Sequence, residues 1–167
     1  MTEEQTPLSE QALVAREVLE NMLREMEFPG AVEVEETEEQ VLLTITSEAP
    51  MGLLIGKGGQ TLNALELIVK QITQHKTGNY GKHLVLDAEG YRSRTADRLT
   101  ELAVETAERV RDTGETIEME PMSPRDRRTV HLALQEMAGV ETYSKGEDPY
   151  RRVVVCPAGQ KPEWAED

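Results

Sequence analysis

The sequence predicts an α+β protein made of two small units. Three observations carry that reading. Apolar residues recur at helical spacing in some stretches and alternate in others. Glycine- and proline-marked turns separate those stretches. The charge also changes sign along the chain. At 167 residues there is room for one ordinary domain or two small ones.

The first unit spans residues 8–88. Leu8, Ala12, Ala15, Leu19, Met22, Leu23 and Met26 share a helical face, and Pro29-Gly30 ends the pattern. Val32 and Val34 alternate with glutamates and a polar turn follows from Glu36 to Gln40. Val41, Leu43 and Ile45 then alternate with Leu42, Thr44 and Thr46, which predicts a hairpin with one buried face. A short apolar turn, Met51 to Ile55, leads into Gly56-Lys57-Gly58-Gly59. The stripe Leu62, Leu65, Ile68, Val69 and Ile72 predicts a helix, and Leu84 with Leu86 a third strand. The order is α-β-β-α-α-β.

The second unit spans residues 90–156. Leu99, Leu102, Ala103, Thr106 and Val110 mark a long helix that Gly114 stops, and Ile117 and Met119 mark a short strand. Ser123-Pro124-Arg125-Asp126 is a helix start, with serine as cap, proline at the first position and an acid three residues on. That helix is expected to run to about Met137 on a stripe of Val130, Ala133, Leu134 and Met137. Val140–Ser144 and Arg151–Cys156 read as two strands. From Pro157 the chain is polar and acidic without periodicity, so residues 157–167 are expected to be a disordered tail.

Composition excludes several classes. No apolar run approaches the ~20 residues of a membrane helix, so no stable membrane insertion is expected. The acidic, polar start resembles neither a signal nor a transit peptide, which points to the cytoplasm. The single cysteine, Cys156, excludes an internal disulfide and a cysteine-based zinc site. His75, His83 and His131 lie in unrelated contexts, and the carboxylates come in solvated runs such as Glu33-Glu35-Glu36. No nucleophile–base pair, cofactor or metal site is expected, and the chain reads as a non-enzyme.

The net charge of −14 argues at first against nucleic acid, because phosphate binding needs basic surface. Divided by region it reads differently. Residues 1–50 hold two basic and 13 acidic residues, whereas residues 51–95 hold six basic and three acidic, net +3. Residues 121–156 hold six basic and five acidic. The acid therefore lies mostly outside the segments that carry the two motifs described next.

Gly56-Lys57-Gly58-Gly59 joins two helical segments. Glycines reach the left-handed region and allow close backbone approach, a helix start offers N–H groups to a phosphate, and Lys57 adds a cation at the tip. A P-loop is excluded, since Gly58 stands where a serine or threonine is required. A plain helix–helix turn fits the bare pattern equally well. The string Gly52-Leu53-Leu54-Ile55-Gly56-Lys57-Gly58-Gly59-Gln60-Thr61-Leu62, after an amphipathic hairpin and before an aliphatic helix, resembles a type II KH domain. That resemblance implies a grip on about four nucleotides between the loop and an apolar groove. Gly56, Lys57, Gly58 and Gly59, with Leu53, Leu54 and Ile55, would form that site.

Arg127 and His131, four apart, share a helix face. Arginine offers a planar fork for phosphate, and histidine a donor and a stackable ring. The alternative is a histidine at the core's edge and arginines in solvent. The stretch from Glu120 to Leu134, with Thr142-Tyr143-Ser144 and Pro149-Tyr150-Arg151-Arg152-Val153, resembles an R-three-H domain, a small α/β module, with Arg127 and His131 on its eponymous pair. The resemblance implies a single-stranded nucleic-acid site of Arg127, His131, Arg128 and Arg152. Arg151 and Arg152 point to opposite strand faces, and the sequence leaves open which of them joins the helix pair.

The two motifs in tandem resemble the bacterial Jag (KhpB) family over about residues 10–156. That implies a cytoplasmic regulator that binds single-stranded RNA, with single-stranded DNA as the related ligand. It also implies a small KH-domain protein as partner and a link to cell elongation and division. Many members begin with a further N-terminal domain, whereas about ten polar residues precede the first helix here. The rival reading is a protein–protein adaptor that uses the KH groove or the glutamate-rich hairpin.

Overall fold

The computed structural model describes residues 7–78 and 81–165, and the chain divides into two compact units that meet between Tyr91 and Arg92. In the first, α1 (Glu10–Glu25) leads to β1 (Ala31–Glu36), β2 (Gln40–Thr46), the single-turn α2 (Gly52–Ile55), α3 (Gln60–Thr77) and β3 (His83–Ala88). The sheet order is β1-β2-β3, with β1 antiparallel and β3 parallel to β2. A parallel pair needs a crossover, and α2 with α3 supplies it.

Helix α1 begins where the side chain of Ser9 accepts a hydrogen bond from the Ala12 amide at 3.2 Å. It buries Ala12, Ala15, Val18, Leu19 and Leu23. These pack with Val41, Leu43 and Ile45 of β2, Leu84 and Leu86 of β3, and Leu62, Leu65 and Val69 of α3. The core is aliphatic throughout. The expected α3 stripe is corrected at two positions. The buried line runs Leu62, Leu65, Val69, Thr73, whereas Ile68 and Ile72, each one residue to its side, are 42% and 37% exposed beside the exposed Leu67.

A polar clasp ties three elements of this unit together. The Gln11 side chain donates to the Lys82 carbonyl and accepts from the Lys82 amide, both at 2.8 Å. The Lys82 ammonium donates to Glu36 at 2.8 Å and to the Thr37 carbonyl at 2.7 Å, while the other Glu36 oxygen accepts from the Ser9 amide. The start of α1, the β1–β2 turn and the entry to β3 are thereby joined.

In the second unit, α4 (Tyr91–Thr113), which begins at the boundary, precedes β4 (Ile117–Glu118), α5 (Pro124–Leu134), β5 (Val140–Lys145) and β6 (Arg152–Pro157). The sheet is antiparallel, in the order β4-β6-β5. Helix α4 buries Leu99, Ala103, Ala107 and Val110; Leu102, expected in the stripe, is 46% exposed, and Thr106 turns its hydroxyl back to the Leu102 carbonyl. Val153 and Val155 of β6 close the core with Val130 and Leu134. Helix α5 stops at Leu134, three residues short of the expected end.

The expectation of a disordered tail is corrected over residues 157–165. The Ala158 amide bonds to the Gly139 carbonyl, the Gly159 amide to the Glu141 carboxylate, and a 3-10 turn at Glu163–Ala165 sets Trp164 edge-on against Tyr143. The absence of periodicity hides this in the sequence, because single anchoring contacts leave no repeating pattern. Residues 166 and 167 of that segment lie outside the described residues.

Burial pushes the Glu36 carboxyl up, but Lys82 and the Ser9 amide outweigh it and hold the group down to about 2. A carboxylate held low stabilises the fold above its ordinary value of 4.5, and that contribution fades as pH falls from 4.5 toward 2. Urea midpoints of wild type and Glu36→Gln should therefore differ at about pH 7 and converge by about pH 2. An equal gap at both would show that the clasp does not act through this charge.

Candidate nucleic-acid interface

The glycine turn is built by backbone conformation. Gly56 has φ 72° and ψ 179°, a combination open in practice only to glycine, and Gly58 and Gly59 are left-handed. A β-carbon at Gly56 would lie 2.2 Å from Thr61 Oγ1, and one at Gly59 would lie 3.0 Å from the Tyr91 ring. Gly58 faces open space, so it is needed for its φ of 58° alone. The result lifts Lys57 and Gly58 into solvent directly before the first turn of the 18-residue α3, which has no side-chain cap. The positive dipole end of a helix suits an anion at this place.

The apolar wall beside the loop differs from expectation. Leu54 is 1% exposed and belongs to the core, so it is removed from the candidate contacts. The single turn of α2 points Leu54 inward with Met51 and sends Leu53, 88% exposed, outward; Ile55 is half-buried. The residue presented to solvent beside the loop is Leu53.

The arginine–histidine helix separates two roles. Arg127 is only 8% exposed, and its Nη1 donates to the Met122 carbonyl and to Asp148, both at 2.8 Å. Its Nη1 is committed to the protein, tying the start of α5 to the β5–β6 turn, so the expected free ligand fork is corrected to a largely structural arginine whose side chain still borders the neighbouring open cavity. His131 is half-buried, with Nδ1 2.7 Å from Thr142 Oγ1 and Nε2 3.0 Å from Ser144 Oγ. Burial, then the Lys161 and Arg127 cations, pushes its pKa below 6.5, so the ring is neutral at pH 7 and offers hydrogen bonds rather than charge.

The cations that face solvent here are Arg128 and Arg151. With Arg127, His131, Ser144, Pro124 and Leu132 they line an open cavity of about 290 Å³. Arg152 is turned to the other face of the sheet, its Nη1 3.6 Å from Glu118, and is likewise corrected. Strand alternation decides between the two arginines once the pairing of Ser144 with Val153 is known. Sequence reasoning missed Ser144 as a site residue; its place two residues after Thr142 was the available signal.

Among the described residues, no group of three or more His, Cys, Asp or Glu is placed to hold a metal, and no helix is long and apolar enough to cross a membrane.

Comparison with known proteins agrees with this geometry. The family model described as "KhpA/KhpB, KH domain" matches residues 16–84, and the model of the R-three-H domain matches residues 97–157. The chain is thus of the class that joins a KH domain to an R-three-H domain in tandem. A relative named RNA-binding protein KhpB from Clostridium symbiosum is 38% identical over 125 residues, 75% of this chain and 55% of the relative. The Bacillus subtilis protein of that name is 39% identical over 126 residues, 74% of this chain and 60% of the relative. The one from Streptococcus pneumoniae D39 is 28% identical over 85% of this chain and 44% of its own length. The chain belongs to the KhpB family, and it spans roughly half to three-fifths of the length of these relatives.

Arg127→Ala should destabilise the protein by about 2 kcal/mol, because a buried carbonyl loses its donor. Arg128→Ala, at an exposed position, should stay within about 0.5 kcal/mol of wild type. Urea unfolding of both variants checks this; equal effects would show that the buried arginine does no structural work.

Proposed function

We propose that this chain binds single-stranded RNA through two separate grips and acts as a cytoplasmic post-transcriptional regulator without enzymatic activity. The observation that carries the proposal is the glycine turn, whose strained backbone holds Lys57 and Gly58 out at the start of α3. The first grip is Gly56, Lys57, Gly58 and Gly59 on the sugar–phosphate backbone, with Leu53 and Ile55 against bases. The second is Arg128 and Arg151 on phosphate, with His131 and Ser144 as neutral hydrogen-bonding partners and Arg127 as the positioning residue beneath them. The family relationship extends the reading to single-stranded DNA as a related ligand and to a role in cell elongation and division.

A protein partner is a second element of this reading. Leu67, Ile68 and Ile72 leave an apolar strip on α3 exposed, which suits a small KH-domain protein. If that surface were the whole function, the chain would be an adaptor and the glycine turn would be only a turn.

Binding of a labelled single-stranded RNA at several salt concentrations separates these cases. Wild type should bind with an affinity that falls as salt rises. Lys57→Asp with Gly58→Asp should lower affinity at least about tenfold while the circular dichroism spectrum stays native, since aspartate tolerates the left-handed region and the site is open. Unchanged binding in the double variant, or none in wild type at low salt, would favour the adaptor.

A further inference from the structure

The sheet of the second unit has two faces, and the Arg128/Arg151 cavity uses only one of them. Thr142 and Ser144 point toward His131, so Tyr143 and Lys145, alternating with them on β5, point to the other face. The register pairs Tyr143 with Val154 and Lys145 with Arg152, which places Val154 and Arg152 on that face too. Glu118 of β4 lies across from them, its Oε1 2.5 Å from the Lys145 ammonium and its Oε2 3.6 Å from Arg152. Val154 and Cys156 are 1% exposed yet stand apart from the core cluster of α4 and α5. The segment after β6 runs back over this side and ends with Trp164 against Tyr143, ring centroids 5.6 Å apart at 89°.

Trp164, the chain's one tryptophan, is 67% exposed although it lies against an ordered partner. An indole that served only to cover the sheet would be buried, and this one presents much of its surface to solvent. Two cations stand two residues further along β5 and β6, about 7 Å away by strand rise. Glu118 is shared between them, and the other acid of this face, Glu141, is taken up by the Gly159 amide at 2.9 Å. An exposed ring, here Trp164 backed by the half-buried Tyr143, beside cations is what single-stranded nucleic acid uses: bases stack on the ring and phosphates meet the charges.

We propose that this outer face is a stacking platform for single-stranded RNA, with a base on Trp164 and Tyr143 and neighbouring phosphates on Lys145 and Arg152. The proposal rests on the RNA-binding reading above and adds a third contact surface to it. It gives Arg152 a ligand of its own, and it gives the ordered C-terminal segment a task.

The single tryptophan makes the test direct. Unlabelled uridine oligonucleotides are titrated into the full chain while its emission is followed, and anisotropy of a labelled oligonucleotide reports binding separately. Emission should be quenched at the concentrations at which anisotropy rises. Trp164→Leu should weaken binding about tenfold, as expected for one stacked base. Trp164→Phe, which keeps a ring, should recover most of that loss, and Lys145→Gln with Arg152→Gln should flatten the salt dependence. Anisotropy that rises while emission stays constant, or Trp164→Leu binding like wild type, would overturn the platform and leave RNA binding elsewhere intact. Absence of binding by either readout at low salt would overturn both.

Discussion

At Gly56 a β-carbon would fall 2.2 Å from Thr61 Oγ1, and this exclusion governs how the first unit is assembled. The parallel pairing of β2 with β3 requires the chain to cross over, and α2 and α3 do so with a reversal completed in four residues. Only a residue without a side chain lets Thr61 close in and start α3 there. From that start, Leu62, Leu65 and Val69 reach the core and Gly59 settles against Tyr91. The exposed tip with Lys57 is the remainder of the same geometry. Fold and exposed cationic tip are one conformational solution in this unit.

The second unit solves a different problem, that of fixing a small sheet to a short helix with little core. A buried guanidinium does part of it. Arg127 spans from the Met122 carbonyl to Asp148, and a charge removed from water persists only where such partners are in place. The residue that looks most like a phosphate ligand thus has one arm of its fork taken up by the fold. Its neighbours Arg128 and Arg151 carry the accessible charge. His131 sits between the two roles, held by two hydroxyls of β5 while lining the cavity.

Much of this is legible in the sequence, and the failures share a cause. Alternation and helical spacing locate the strands and long helices, because one buried face per element writes a period into the chain. The glycine turn and the Ser123 cap are readable because their backbone demands admit few residue types. Spacing says which residues share a face but not how that face is oriented in the packed unit. Hence spacing puts Ile68, Ile72 and Leu102 inside, each about one helical position from its true orientation, and the resemblance to a KH domain places Leu54 at the ligand although it is buried. Arg127 and Arg152 mislead for a related reason: whether a cation meets solvent, a carbonyl or Glu118 depends on contacts far away in sequence. The tail misleads because Trp164 acts alone.

The glutamates of β1 have one more consequence. Among the described residues that strand pairs with β2 on one side only, so its other edge has no strand beside it. An open, flat edge is where identical molecules add strand to strand. Here Glu33 and Glu35 stand exposed along it, and a second copy attempting the same pairing would bring like charges into register. The acidic residues of β1 thus set like charges where a second copy would have to pair.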